Sequence, residues 1–169
     1  MKPKPDKMNK ITQFLLILLI YNGLTSCSDQ NIIFEEHQDL SPEYTWKKED
    51  VKTFVIDIQQ NAHPFEFSIA LRVASGYAYP NLPVRIKEIA PDGSVVSRDM
   101  DIMVRDSKGD FLGDKGFDII DIEQVIDAKK SFPTFGKYTY SIEHMAPGID
   151  VLDFPMEIGL IVRDNQKAK

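Results

Sequence analysis

Asp106, Asp110, Asp114 and Asp118 recur every four residues, a spacing that could serve two kinds of chemistry. Two carboxylates facing each other across a cleft can act as acid and base. Several on one loop can hold calcium through oxygen. The spacing does not match the D-x-D-x-D-G calcium loop, and Phe111, Leu112 and Phe117 interleave with it. A solvated acidic loop is the simpler reading. Gly109, Gly113 and Gly116 in the same stretch mark a shaped turn, because a phosphate cradle needs a strand running into a helix. His37, His63 and His144 lie far apart, so a zinc site would require the fold to bring all three together. The sequence holds no G-x-S-x-G elbow and no H-E-x-x-H pair. No catalytic residue, metal site or cofactor is expected. The aromatic loop Gly76-Tyr77-Ala78-Tyr79-Pro80-Asn81 is the candidate contact surface, with Tyr77, Tyr79 and Asn81 as the residues to watch. Tyrosine presents an apolar body and a polar tip, which suits a protein partner or a sugar. The plain alternative is a tyrosine pair packed over the end of the domain.

Cys27 is the only cysteine, so a disulfide within the chain is excluded. It follows Leu24-Thr25-Ser26, and before that a lysine-bearing start (Lys2, Lys4, Lys7, Lys10) and the apolar run Phe14–Ile20. Ile11 to Ile20 is too short to cross a bilayer, which takes about 20 apolar residues. Basic start, short apolar middle and small residues before the cut are the pattern of a secretory leader. Leu24 three residues before Cys27 makes it the lipoprotein version, in which the thiol receives a diacylglyceryl group and becomes residue one. Two or more acyl chains hold a protein to a membrane stably. The expected partner of Cys27 is therefore the lipid bilayer. Ser28 in place of an aspartate favours the outer over the inner membrane.

Removing residues 1–26, with four lysines and one aspartate, takes the basic count from 20 to 16 and the acidic count from 26 to 25. The remaining 143 residues carry a net charge of −9, which argues against nucleic acid. They suffice for one domain with its own core.

That domain reads as strands. Phe65, Phe67, Ile69, Leu71 and Val73 alternate with Glu66, Ser68, Ala70, Arg72 and Ala74, the period of a half-buried antiparallel strand. Similar alternation marks Phe54–Ile58, Leu82–Ile86, Met100–Val104, Tyr138–Ile142 and Met156–Val162. Pro91-Asp92-Gly93-Ser94, Ser107-Lys108-Gly109-Asp110 and Ala146-Pro147-Gly148 supply turns. Pro83 and Pro155 belong at strand starts or edges, where no ladder donor is needed. Ile119, Ile122, Val125 and Ile126 have helical spacing, so Asp118–Lys130 is expected to be a crossover with one helical turn. Trp46 is expected in the core. The expected fold is all-β, a two-sheet antiparallel β-sandwich of immunoglobulin-like or jelly-roll-like kind. Residues 1–26 form the leader, 27–45 the anchor, tether and a candidate edge strand, and 46–165 the sandwich.

Several segments together resemble a known family. They are Phe34-Glu35-Glu36, Trp46–Phe54, Arg72, Tyr77–Leu82, Pro91-Asp92-Gly93, Gly109–Gly113, Gly116–Ile119, Phe132-Pro133, Gly136–Tyr138, Glu143–Met145 and Ile158–Leu160. In this order behind a lipobox they are similar to the gliding-motility lipoprotein GldH family of Bacteroidota. The chain departs from it at Asp153-Phe154-Pro155-Met156, where the family has a glycine-isoleucine pair. The resemblance implies a non-enzymatic envelope lipoprotein, with other envelope proteins of a gliding or linked secretion assembly as partners. A glycan- or ligand-binding sandwich module is the alternative.

Overall fold

The computed structural model describes residues 32–59 and 64–164. They form eleven strands: β1 (Ile32–Asp39), β2 (Thr45–Lys47), β3 (Lys52–Ile58), β4 (Phe65–Ala74), β5 (Asn81–Ile89), β6 (Val95–Met103), β7 (Asp114–Lys115), β8 (Ile119–Lys130), β9 (Gly136–His144), β10 (Val151–Asp153) and β11 (Pro155–Asp164). The alternating runs explain most of them. In β3 and β5 the inward residues Phe54, Ile56, Ile58, Leu82, Val84 and Ile86 are buried, while their neighbours are more exposed.

Two antiparallel sheets result. One has the order β1-β11-β4-β8-β7, the other β3-β9-β5-β6, and β2 pairs with β10 in a short ribbon. Set aside the three short strands, and number the eight long ones along the chain. The first then pairs the eighth, the second the seventh, the third the sixth, and the fourth the fifth. This nesting is what a long antiparallel ribbon gives when it rolls up, and it is the jelly-roll order rather than the immunoglobulin one. A single core joins the inner faces. Phe67 of β4 and Tyr140 of β9, from opposite sheets, meet at 4.8 Å between ring centroids.

The segment expected to be a crossover with a helical turn is instead β8, a twelve-residue strand paired along β4. Burial follows period two, with Ile120 and Ile122 inward and Ile119, Asp121 and Glu123 outward. The apparent helical spacing joined residues on opposite faces, since Ile119 and Val125 are exposed and Ile122 is buried. Register shifts opposite Phe65–Ser68 further displace the pattern near its end.

Pro155 opens β11 as expected, but Pro83 is the third residue of a central strand. Its carbonyl accepts Met145 N–H on the β9 side, and the β9 ladder starts one residue later at Val84. Pro83 therefore meets β9 at the end of the ladder rather than within it. The turn after β5 closes with Gly93 N–H donating to Ala90 O, Ala90 N–H to Ser94 O and Ser94 N–H to the Asp92 carboxylate. Trp46 is fully buried, and its indole N–H donates to Asp50 O at 2.8 Å.

Candidate functional site

The Tyr77–Asn81 loop joins β4 to β5 at the end of the sandwich. Its two tyrosines separate. Tyr77 is 1% exposed and Tyr79 is 43% exposed, with ring centroids 5.6 Å apart in an edge-on arrangement. The Tyr77 hydroxyl donates to Asn81 O at 3.0 Å, so Tyr77 braces its own loop. Burial pushes the Tyr77 phenol well above its ordinary pKa, and it stays a neutral donor. Arg105 holds the loop from the other side. Its guanidinium donates to Tyr77 O and Gly109 O at 2.9 Å each and lies 3.6 Å from the Phe111 ring centroid. Pro80 O accepts the backbone N–H groups of Val104 and Arg105.

Beside this braced loop lies a cleft of about 460 Å³ lined by Tyr77, Tyr79, Asn81, Pro83, Asp101, Ala146, Pro147, Ile149 and Leu152. Buried Tyr77, Ala146 and Leu152 contribute apolar surface, and Asp101 is its only charged residue. The arrangement can grip an apolar side chain and orient it through Tyr79, Asn81 and Asp101. Tyr77, Tyr79 and Asn81, singled out in the sequence, line this cleft, whereas its wall from the β9–β11 connection carried no sequence signal of that role. Ala146-Pro147-Gly148 was legible as a turn, while Leu152 sits in a three-residue strand, too short for any periodicity.

Among the described residues the other candidates do not assemble. His37 lies on β1 between Glu35 and Glu157, at 3.1 and 2.9 Å. His144 is buried at the end of β9, with its ring 5.6 Å from that of Trp46. Burial and the Lys48 charge hold its pKa below the usual histidine value, against opposing pulls from the Trp46 and Asp150 backbones and Glu143. His63 and Cys27 lie outside the described residues. Among the described residues no cluster of His, Cys, Asp and Glu is placed to hold a metal ion.

In the acidic series it is Asp106 whose carboxylate serves the backbone. The Asp106 carboxylate accepts the N–H groups of Lys108 and Asp110, closing a turn between the bridged residues Arg105 and Phe111. Asp114 sits in β7 opposite Asp121, and Asp118 O accepts Ser75 N–H. Asp110, Asp114 and Asp118 are exposed. Gly113 is the shaped point of this stretch, because a Cβ there would lie 2.1 Å from Asp121 O.

A family model described as GldH lipoprotein matches residues 32–160. The chain belongs to that family. The match covers every strand of both sheets apart from the last residues of β11. A relative from Christiangramia forsetii, described as a gliding motility lipoprotein GldH homolog, is 24% identical over 130 residues, 77% of this chain and 77% of the relative. Among solved structures, the VP2 subviral particle of infectious bursal disease virus aligns with a TM-score of 0.38 and 12% identity, over 77% of this chain and 32% of that one. Dimeric latent PorU from Porphyromonas gingivalis aligns with a TM-score of 0.33 and 8% identity, over 79% of this chain and 13% of that one. Scores this low carry no argument. The chain spans a third or less of either structure, and nothing about their activities transfers to this GldH-family domain.

Proposed function

We propose that this chain is a lipid-anchored, non-enzymatic protein of the cell envelope, held at the outer membrane through acylated Cys27. Its jelly roll contacts other proteins of a gliding assembly and the secretion machinery linked to it. The match to the GldH lipoprotein family over residues 32–160 carries this reading. The lipobox ending at Cys27 supports it from outside the matched segment. The contact surface is the cleft beside the Tyr77–Asn81 loop, with Tyr79 and Asn81 at its rim and Tyr77 bracing it from within.

The test is replacement of the thiol. Cys27→Ala is expected to lose palmitate-analogue labelling and lipoprotein-type cleavage, and to release the domain from the envelope fraction. Labelling that persists in Cys27→Ala overturns the anchor. Affinity isolation of the acylated protein with and without Tyr79→Ala then tests the surface, since the variant is expected to lose envelope partners while remaining folded.

One observation favours a second reading. The half-exposed Tyr79 ring stands near Asn81 and Asp101, as a sugar-stacking ring would. Burial of Tyr77 leaves that platform a single ring. Glycan-array binding lost in Tyr79→Ala would support a glycan-binding module in place of a protein-binding one.

A further inference from the structure

This inference rests on the acylation of Cys27 and adds where the domain meets lipid. Five peptide steps separate Cys27 from Ile32, the first residue of β1. At about 3.6 Å per residue or less, they reach roughly 18 Å. The strand registers show what surrounds Ile32. It pairs with Arg163, Asp164 pairs with Phe65, and Phe65 pairs with Lys130. In the facing sheet Ile58 pairs with Gly136, and Ile89 with both Thr139 and Val95. Ile32, the turn after β5 and the connection 131–135 therefore share one pole. Asp39, Ala74, Asn81, Met103 and His144 end their strands at the other. The ten residues of β4 set the poles about 30 Å apart, beyond the tether's reach.

The surfaces differ in what they could put against lipid. The outer face of the five-stranded sheet carries Glu35, Glu66, Asp121, Glu123 and Glu157 against Arg72 and Arg163. Laying that face on a bilayer would dehydrate its carboxylates and set them against anionic headgroups. The Ile32 pole offers apolar side chains instead. Phe135 is 60% exposed at the end of the connection 131–135, and Val95, Val96 and Ile33 are exposed nearby in the strands.

We infer that the Ile32 pole is a second, non-covalent contact with the bilayer surface. Phe135 enters the headgroup interface, as exposed aromatics of surface-bound segments do. The domain stands on this pole and turns the Tyr79 cleft away from the lipid.

The full chain, processed and reconstituted in phosphatidylethanolamine–phosphatidylglycerol vesicles, tests this directly. Mass spectrometry first establishes the lipid on Cys27. With that thiol occupied, a cysteine introduced by Ser131→Cys or Lys108→Cys is the only free one and takes a fluorophore. A lipid carrying a headgroup quencher should quench the Ser131→Cys label several-fold more than the Lys108→Cys label. Ten Gly/Ser residues inserted after Asp29 separate contact from leash. In that longer chain, Ser131→Cys quenching should persist with Phe135 and fall by half or more in Phe135→Ser. Equal quenching of the two labels in an acylated protein overturns the orientation and leaves the anchor standing. Indifference to Phe135→Ser in the longer chain overturns the aromatic contact. An unmodified Cys27 removes the anchor, and this inference with it.

Discussion

At the Ile32 pole two of the described connections, the turn after β5 and residues 131–135, are short and held close to home. The turn after β5 satisfies its own backbone, and the connection 131–135 is pinned by buried Phe132 packing against Phe65 and Tyr138. The Tyr138 hydroxyl donates back to Thr134 O at 3.0 Å. At the Tyr77 pole the connections hold one another. Arg105 ties the Tyr77 loop to the loop closed by Asp106, and β2 pairs with the distant β10. Tyr44 and Phe154 carry positive φ there, at 55° and 77°, and Phe154 N–H donates to Tyr44 O. Strained backbone and half-exposed aromatics gather at this pole, where loops on a rigid scaffold commonly carry recognition. The same sandwich thus has one end that closes the fold and one that spends stability on shape.

The contrast is sharpest under truncation of a large core residue at each end. Trp46→Ala and Phe132→Ala should each cost about 3–5 kcal/mol by chemical denaturation. Their local effects should differ. Trp46 lies opposite Leu152 of the cleft wall in the β2–β10 ribbon. Methyl resonances of Ala146 and Ile149 should shift in Trp46→Ala and stay in place in Phe132→Ala. Equal perturbation by both would show that the poles are coupled, and the comparison would fail.

Gly113→Ala comes next, at about 1–3 kcal/mol, the usual range for overpacking. A Cβ there meets the Asp121 carbonyl, which cannot rotate away as a flexible side chain would. Asp110→Ala, on the exposed side of the same stretch, should change stability by less than about 0.5 kcal/mol. A thermal shift of equal size for both would mean that Gly113 is not packed against β8.

Phe154 tests the strain itself. Phe154→Gly and Phe154→Ala both remove the ring that lies against Gly76. Only glycine adopts φ of 77° without steric cost. The left-handed region costs other residues about 1–2 kcal/mol, partly offset by glycine's extra freedom when unfolded. Phe154→Gly should therefore be about 1 kcal/mol more stable than Phe154→Ala.

What the sequence revealed follows from the same contrast. Long strands with one wet face announce themselves, as Phe65–Val73 does, because period two records burial directly. So did the turns, since Asp92-Gly93 and Asp106–Gly109 need particular residues. β8 was misread because Ile119, Ile122 and Val125 imitate a helical stripe while facing opposite ways. The cleft was half legible. Tyr79 stood out by type, but Ala146, Ile149 and Leu152 meet it only through long-range folding that no local pattern encodes. Tyr77 drew attention for the same reason as Tyr79, and the fold used it as a brace.

The smallest effect is the pH response of the Tyr77 pole, where His144 packs on Trp46. Lys48, Glu143, Asp150 and the Trp46 backbone are the groups that act on it. Burial depresses the His144 pKa in the folded state. Just below the ordinary value of about 6.5, the unfolded chain then binds a proton that the folded chain refuses. Stability is fully present above that value and declines as pH falls toward the depressed folded pKa. One proton limits the slope to about 1.4 kcal/mol per pH unit. Urea midpoints at pH 7.5, 6.5 and 5.5 should fall on acidification in the native sequence and flatten in His144→Phe. A native slope unchanged by His144→Phe would place the proton uptake elsewhere, and the two poles would no longer differ in their response to acid.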